Sequence, residues 1–405
     1  MNVIAAHMQP YLKNKKIVLG ITGCIAAYKA AELVRLLKKE GAEVHVIMTA
    51  SAKEFITPLT LQTLSNNPVH DRLFNQHLDV KIDHIHLARW ADAFLIAPAT
   101  ANIIAKLAHG LADDLLSTTC LATTAPICIA PAMNQAMWSN AITQKNIATL
   151  QQQGMNIFTP DEGEQACGEI GIGRLLAPQD ILRLLHSVFV PKLFENQRIL
   201  ITAGPTIEPI DPTRYLSNYS SGKMGYALAE AAVNCGATVT LITGPTSLSV
   251  PLGLANYIKV DSADAMYKAV MEHIEEQQIL ISTAAVSDYR IRETAPQKIK
   301  KSSETMSLQL VLNPDILASV SARKLCPFIV GFAAETERLY ERAQEKLEDK
   351  SLDLLVANQV GPDKGFQSDH NSVTVFTRGG DPISLENQSK VQLAYELLKI
   401  IHQVK

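Results

Sequence analysis

The strongest constraint on this chain is a structural plan that it uses twice. Residues Lys16–Gly23 form a short apolar run ending in a Gly turn, and Ala26–Leu37 has helical spacing. Gly41-Ala42 stops that helix, and Glu43–Thr49 is a second apolar run. The plan returns with Arg198–Gly204, a long loop, a helix from Gly225 to about Asn234, Gly236-Ala237 and a strand at Thr238–Thr243. Continuous apolar strands joined through helices are βαβ units of a parallel sheet covered on both faces. The expected fold class is α/β, with two doubly wound parallel-sheet domains in tandem. A chain of 405 residues exceeds one ordinary core. The expected break lies near Val190–Gln197, after a helix over about Pro178–Val188, giving domains 1–190 and 191–405.

Charge narrows the partners. Split after Glu195, the first half has sixteen Lys and Arg against sixteen Asp and Glu, and the second twenty-one against twenty-four. Neither half is basic, so no nucleic-acid partner is expected. No uninterrupted apolar run is long enough for a membrane span, and Met1–His7 lacks the basic leader of a signal peptide. Six scattered cysteines do not make a disulfide framework and fit a reducing cytoplasm. Neither CxxC nor HExxH is present, so a structural zinc site or a zincin is not supported.

Two further strands, Ala93–Ala97 and Ile127–Ala130, each stop at a proline, Pro98 or Pro131. Ligands of open α/β sheets bind off the carboxyl ends of the strands. Thr22-Gly23, Thr49-Ala50-Ser51, Ala99-Thr100-Ala101-Asn102 and Pro131-Ala132-Met133-Asn134 should therefore converge. Hydroxyls, amides and free N–H groups at helix starts suit a phosphate. The same residues would also serve as ordinary caps, but four such ends together favour a phosphate-bearing cofactor. Gly20-Ile21-Thr22 breaks GxGxxG. Ser217 and Met224 break the P-loop pattern around Ser221-Gly222-Lys223. These domains are thus Rossmann- or flavodoxin-like without a plain dinucleotide or Walker fingerprint. Cys167 lies in Gln165–Arg174, a polar stretch with three glycines, and reads as a thiol on a mobile lid. His84 and His86 precede the strand at Ala93, and on that extended segment only one of the two points inward.

These segments resemble the flavin-dependent cysteine decarboxylases. The match runs through Thr22–Lys29, His84-Ile85-x-Leu87, Ala97–Asn102, Pro131-Ala132-Met133-Asn134-x-x-Met137 and Ala166-Cys167-Gly168-Glu169-x-Gly171-x-Gly173-Arg174, and covers nearly all of residues 15–190. Cys24 stands where Gly is common, and His86 where Glu is common. The resemblance implies FMN as cofactor, bound by Thr22, Gly23, Cys24, Thr49, Ser51, Ala99, Thr100, Asn102 and Met133. It implies His84 as base, Asn134 as ligand of the substrate's carboxylate region and Cys167 as proton donor. The implied chemistry is consistent. Oxidising a CH2–SH group to a thioaldehyde provides the electron sink that losing the adjacent carboxylate as CO2 requires. FMN would take up the two electrons of that oxidation; decarboxylation gives an enethiol, and a hydride returned from the reduced flavin with a proton from Cys167 yields the aminoethanethiol.

The second half carries Ile201–Thr206, Asn218–Gly225, Thr283–Tyr289, Lys298–Lys301 and Gly331–Thr336. Its stretch from Asp288 to Lys301 holds Arg290, Arg292, Lys298, Lys300 and Lys301 against Asp288 and Glu293. Such a run after a strand end suits a polyanion, although most charge runs are solvated faces. This half resembles the phosphopantothenate–cysteine ligases, over residues 197–400. The whole chain resembles the bacterial bifunctional enzymes of coenzyme A biosynthesis. Ile207 stands where Arg is common, and Tyr219 where His is common. The resemblance implies CTP as co-substrate, with Mg2+ on its phosphates, an acyl-cytidylate, and cysteine as the amine that displaces CMP. It places Asp288, Lys298, Pro314, Asp315, Ile316, Leu317, Phe332, Lys346 and Lys350 at CTP. Lys298 neutralises charge there, and Asn218 orients the acyl group. It also implies a homo-oligomer, a dodecamer built from decarboxylase trimers and ligase dimers. A flavodoxin-like electron carrier fused to a nucleotide-dependent oxidoreductase would share the fold. It would need neither a lid cysteine nor a basic triphosphate loop.

Overall fold

The computed structural model describes residues 11–73, 83–300, 305–323, 327–335, 338–359 and 368–405. Met1, Met8, Lys301, Cys326 and Thr336 lie outside them. The chain forms two compact units that divide between Val190 and Pro191.

In the first unit β1 (Lys16–Ile21), β2 (Glu43–Met48), β3 (Val69–His70), β4 (Ala93–Ala99), β5 (Ile127–Pro131) and β6 (Asn156–Ile157) build one sheet in the order β3-β2-β1-β4-β5-β6. Every pairing is parallel. Along β1, Ile17, Leu19 and Ile21 enter one core while Val18 enters the other. That division is why the strand reads as an unbroken apolar run. The helix Lys29–Lys39 buries Ala30, Leu33, Val34 and Leu37, one helical stripe, against the first core. Both β4 and β5 run past the boundary expected from sequence, to Ala99 and Pro131. Pro98 fits because the pairing of β4 with β5 is irregular between Ile96 and Ala99. The unit also carries an antiparallel hairpin, β7 (Asp161–Glu164) and β8 (Ile170–Arg174), where the sequence suggested only a loop.

The second unit repeats the plan with additions. Its sheet holds β9 (Arg198–Ala203), β12 (Thr238–Thr243), β13 (Asn256–Lys259), β14 (Ile279–Ser282), β17 (Phe328–Glu335), β18 (Leu354–Gln359), β19 (His370–Thr377) and β20 (Ile383–Ser389). Their order is β13-β12-β9-β14-β17-β18-β19-β20. The first six strands are parallel, but β19 and β20 are antiparallel, so this sheet is mixed rather than wholly parallel. The physical reason is the short 378–382 link between β19 and β20, which can close a hairpin but cannot make a crossover. Two ribbons stand outside the sheet: β10 (Ile207–Asp211) with β11 (Arg214–Ser217), and β15 (Tyr289–Ile291) with β16 (Leu310–Leu312). Both occupy stretches that read as loops. The helix Lys390–Val404 packs on the helix Lys223–Asn234, where Asn234 Nδ2 donates to Tyr395 Oη at 2.8 Å, and Lys405 Nζ donates to Gln197 Oε1. No described helix is long and apolar enough to cross a membrane.

One buried group makes the first unit sensitive to acid. His186, on the helix Pro178–Phe189, is fully buried, with neither ring nitrogen hydrogen-bonded; Glu40 Oε2 stands 3.8 Å away. Burial pushes its pKa from 6.5 down to about 4. Between those values the unfolded chain binds a proton that the folded chain refuses. The neutral ring's contribution is therefore fully present above pH 6.5 and is lost as pH falls toward 4. At about 1.36 kcal/mol per unit this is on the order of 3 kcal/mol. Urea unfolding of the wild type should show that loss, and His186→Met should flatten the slope across the same window. An unchanged slope in the variant would assign the acid sensitivity to other groups.

Candidate active sites

Parallel pairing brings the carboxyl ends of β1, β2, β4 and β5 to one edge of the first sheet. Thr22 follows β1 and is buried; its Oγ1 donates to Pro98 O at 2.7 Å and accepts from Thr100 N at 3.0 Å. One hydroxyl thus joins the ends of β1 and β4. Thr49, after β2, donates from N to Ile21 O at 3.1 Å. A Cβ on Gly23 would lie 2.3 Å from Ser51 Cβ, so only glycine lets these two loops meet. Thr100 caps the helix Ala101–Ala108, Asn102 is exposed in its first turn, and Ala99 is buried at the end of β4. Cys24 donates its N–H to Thr22 O at 3.0 Å, and burial raises its thiol pKa, which keeps it a protonated packing group.

The end of β5 meets the hairpin. Met133 N donates to Gly173 O at 2.9 Å, and Gln135 N to Gln165 Oε1 at 3.0 Å. A Cβ on Gly173 would fall 2.4 Å from the backbone O of Met133, so glycine there is what allows β8 to dock. Asn134 caps the short helix Gln135–Ser139 through Oδ1, which accepts from Ala136 N at 2.8 Å. Its Nδ2 faces Glu169 Oε2 at 2.7 Å, Gln165 Oε1 at 3.3 Å and Cys167 Sγ at 3.4 Å. Cys167 itself is exposed at the hairpin tip. Asn134 and Cys167 thus come together, held by Gln135, Gln165 and Glu169, none of which the sequence reading assigned a role.

His84 lies on a helix, Asp83–Trp90, and not on an extended segment. Leu87 and Ala88, three and four residues on, are buried and pin that face inward. His84 shares their face and is half-buried, whereas His86 is exposed. The two histidines still differ in exposure, for a helical reason. His84 Nδ1 is buried with no hydrogen-bond partner among the described residues, and no hydrogen bond joins it to Asn134 or Cys167.

In the second unit, Ala285 N donates to Gly204 O at 2.9 Å and Ser287 N to Thr206 Oγ1 at 3.0 Å, tying the loop after β14 to the loop after β9. Asn218 is exposed and donates from Nδ2 to Val286 O at 3.0 Å. Lys223 pairs with Asp369 at 2.6 Å. Exposed Asp288 accepts at its backbone O from Asn313 N at 2.8 Å, which places it beside Pro314 and Asp315. Asp315 caps the helix Ile316–Ser321, and Lys350 Nζ lies 3.3 Å from its Oδ2. Leu317, Phe332 and Lys346 are half-buried. Ile316 is buried in the core, so its side chain packs rather than faces a ligand.

The basic stretch divides on inspection. Arg290 is committed to its ribbon, donating to Leu312 O at 2.6 Å and to Asn313 Oδ1 at 3.2 Å. Lys298 and Lys300 are exposed. The residue between them is anchored: Ile299 N donates to Asp211 Oδ2 at 3.1 Å, and Ile299 O accepts from Arg214 Nη2 at 2.8 Å. The Asp211 side chain is fully buried and accepts further bonds from Thr213 and Arg214, which hold its carboxyl well below the usual range. The Asp211-Pro212 dipeptide that opens this turn is a turn-initiating signal legible in the sequence. Among the described residues, no group of three or more His, Cys, Asp or Glu could hold a metal ion.

Two families account for these units. Residues 6–189 match the Flavoprotein family, and residues 194–404 match the DNA/pantothenate metabolism flavoprotein C-terminal domain. The class is thus a flavoprotein domain followed by a pantothenate-metabolism domain. The coenzyme A biosynthesis bifunctional protein CoaBC of Vibrio vulnificus (strain YJ016) is 53% identical over 96% of this chain and 98% of its own length. That of Escherichia coli (strain K12) is 49% identical, over 92% and 93%, and that of Bacillus subtilis (strain 168) 45%, over 96% and 97%. A crystal structure of the C-terminal domain of such a protein is 40% identical, with a TM-score of 0.45, and covers 52% of this chain and 97% of that one. This chain belongs to the family of bifunctional coenzyme A biosynthesis proteins. It is an enzyme with a phosphopantothenoylcysteine decarboxylase half and a phosphopantothenate–cysteine ligase half.

The Asp211 anchor generates a prediction. Asp211→Asn should loosen the segment bearing Lys298 and lower ligase turnover by about a hundredfold, the scale of a small misplacement at a reacting centre. Decarboxylation of supplied phosphopantothenoylcysteine should be unchanged. Pyrophosphate and CO2 release from one preparation test this; a full ligase rate would show that the anchor does not position Lys298.

Proposed function

We propose that the first unit works with FMN and the second with CTP, ligation preceding decarboxylation. The observation that carries the decarboxylase assignment is the 3.4 Å approach of Asn134 Nδ2 to Cys167 Sγ, which joins a strand-end amide to the hairpin thiol. The first site suits a phosphate-bearing flavin. Thr49, Ser51, Thr100 and Asn102 offer hydroxyl and amide groups, and Gly23 leaves the loops after β1 and β2 without side-chain bulk between them. Thr22, Cys24, Ala99 and Met133 complete this reading of the pocket. FMN supplies two-electron redox chemistry when bound. The chain's own residues do the rest. Asn134 Nδ2 holds the substrate's carboxylate, and the hairpin brings Cys167 Sγ close enough to give a proton to the unsaturated thiol product. His84, half-buried on its helix, takes a proton from the substrate.

In the ligase half the carboxylate of 4'-phosphopantothenate attacks the α-phosphorus of CTP, and pyrophosphate leaves. The amine of cysteine then attacks the acyl carbon, and CMP leaves. Asp288, Pro314, Asp315, Leu317, Phe332, Lys346 and Lys350 surround the nucleotide, with Ile316 contributing only its backbone. Lys298 neutralises the growing negative charge, Asn218 orients the acyl group, and the triphosphate carries Mg2+. The same reading makes the chain a homo-oligomer, a dodecamer of decarboxylase trimers and ligase dimers. Large apolar side chains left exposed on the first unit, among them Ile25, Tyr28, Leu59, Leu121 and Ile142, support self-association. A cytoplasmic location fits the free thiols of the five described cysteines.

Two variants test the assignment in an assay with 4'-phosphopantothenate, cysteine and CTP. Cys167→Ser should keep the yellow flavin colour and the release of CMP and pyrophosphate, yet accumulate an unsaturated decarboxylated thiol in place of the saturated product, as read by mass spectrometry. A normal product would remove Cys167 from the chemistry. Lys298→Gln should slow pyrophosphate release about a hundredfold, the usual cost of one preorganised charge-stabilising group. CO2 release from supplied phosphopantothenoylcysteine should not change. If neither rate falls, Lys298 belongs to a solvated face.

A further inference from the structure

Around Asn134 the chain supplies its own carboxylate. One amide can donate two hydrogen bonds, and three acceptors crowd Nδ2: Glu169 Oε2 at 2.7 Å, Gln165 Oε1 at 3.3 Å and Cys167 Sγ at 3.4 Å. The shortest contact is the charged one. Gln135 Nε2 adds a longer contact to the same Oε2, at 3.4 Å. Glu169 closes the hairpin turn, accepting at its backbone O from Gln165 N at 2.8 Å, so a change at its side chain bears directly on the tip that carries Cys167. Two carboxylates cannot share one neutral amide without strong mutual repulsion.

We propose that Glu169 is a resident carboxylate that occupies Asn134 in the free enzyme and is expelled by the substrate's own carboxylate, releasing the hairpin tip with Cys167 to close over it. This rests on the reading of Asn134 as the substrate's carboxylate ligand. The exchange makes binding of the α-carboxylate and movement of the thiol one event. A ligand without that carboxylate leaves Glu169 in place, so Glu169 helps to determine which acylated amines the site engages.

The test uses the flavin-loaded full chain and two ligands that cannot turn over. One is the amide of 4'-phosphopantothenate with serine, which has the α-carboxylate but no thiol to oxidise. The other is the amide with ethanolamine, which lacks the carboxylate. Calorimetry gives Kd for each, and flavin absorbance per chain confirms an intact site in every variant. Glu169→Gln keeps an acceptor without the charge, and Glu169→Ala removes both. Each should tighten the serine ligand about tenfold, roughly the worth of one solvent-screened charged hydrogen bond, and leave the ethanolamine ligand within about twofold. No change, equal tightening of both ligands, or weaker binding of the serine ligand overturns the displacement. Asn134→Ala separates the two layers. If the ratio of the two affinities is the same in wild type and Asn134→Ala, the carboxylate reading of Asn134 falls. If that ratio collapses in Asn134→Ala but stays at its wild-type value in both Glu169 variants, only the displacement falls.

Discussion

The buried hydroxyl of Thr22 sets the spacing between the ends of β1 and β4, and the rest of the first site is arranged around it. Donating to Pro98 O and accepting from Thr100 N, it uses both its hydrogen-bonding roles where no water reaches. A valine there would fill the same volume but leave two backbone groups unpaired, at a cost of about 1–3 kcal/mol each. With that joint closed, the start of the helix Ala101–Ala108 and the loop after β1 form one rigid edge. The end of β5 joins it where Ala132 N donates to Ala99 O at 2.9 Å. Asn134 and the hairpin then follow from chain connectivity.

Both units use an antiparallel device to complete a site begun by parallel strands. Parallel strands can bring loops to one edge but cannot reach over it. In the first unit the hairpin β7–β8 carries Cys167 to Asn134. In the second, the ribbons β10–β11 and β15–β16 reach beyond the sheet, and the Asp211–Arg214 pair at the end of one grips Ile299 beyond the end of the other. Such ribbons have little core of their own, so each depends on a few close contacts. Gly173 against the Met133 backbone is one such contact and Asp211 with Ile299 another, which is why single substitutions there should matter more than burial alone would suggest.

The duplicated βαβ plan was readable because apolar runs and helical stripes are local patterns. The convergence of Thr22, Thr49, Thr100 and Asn134 was readable too, because parallel pairing places all strand ends on one edge. What escaped was non-local. Short strands such as Asp161–Glu164 carry too few apolar residues to announce themselves, and their pairing depends on a partner across a turn. The helix at His84 was missed because it is short and its buried residues, Leu87 and Ala88, lie after the histidines. The antiparallel end of the second sheet was invisible because nothing in an isolated strand records its direction. Gln165 and Glu169 looked like loop polarity until the hairpin set them against Asn134.

The hydrogen bond from Asn234 to Tyr395 spans 161 positions of the chain. It lies between two helices that cover the same sheet, one near the start of the second unit and one at its end. During synthesis the first unit has all its strands and helices in hand once residue 190 has emerged. The second cannot cover its sheet until the helix Lys390–Val404 has emerged from the ribosome, because the partner of Asn234 does not exist before then. Loop closure over so long a separation is slow, and the exposed face is sticky while it waits. The tandem order therefore gives the nascent chain a finished flavoprotein domain while the half that follows it is still incomplete.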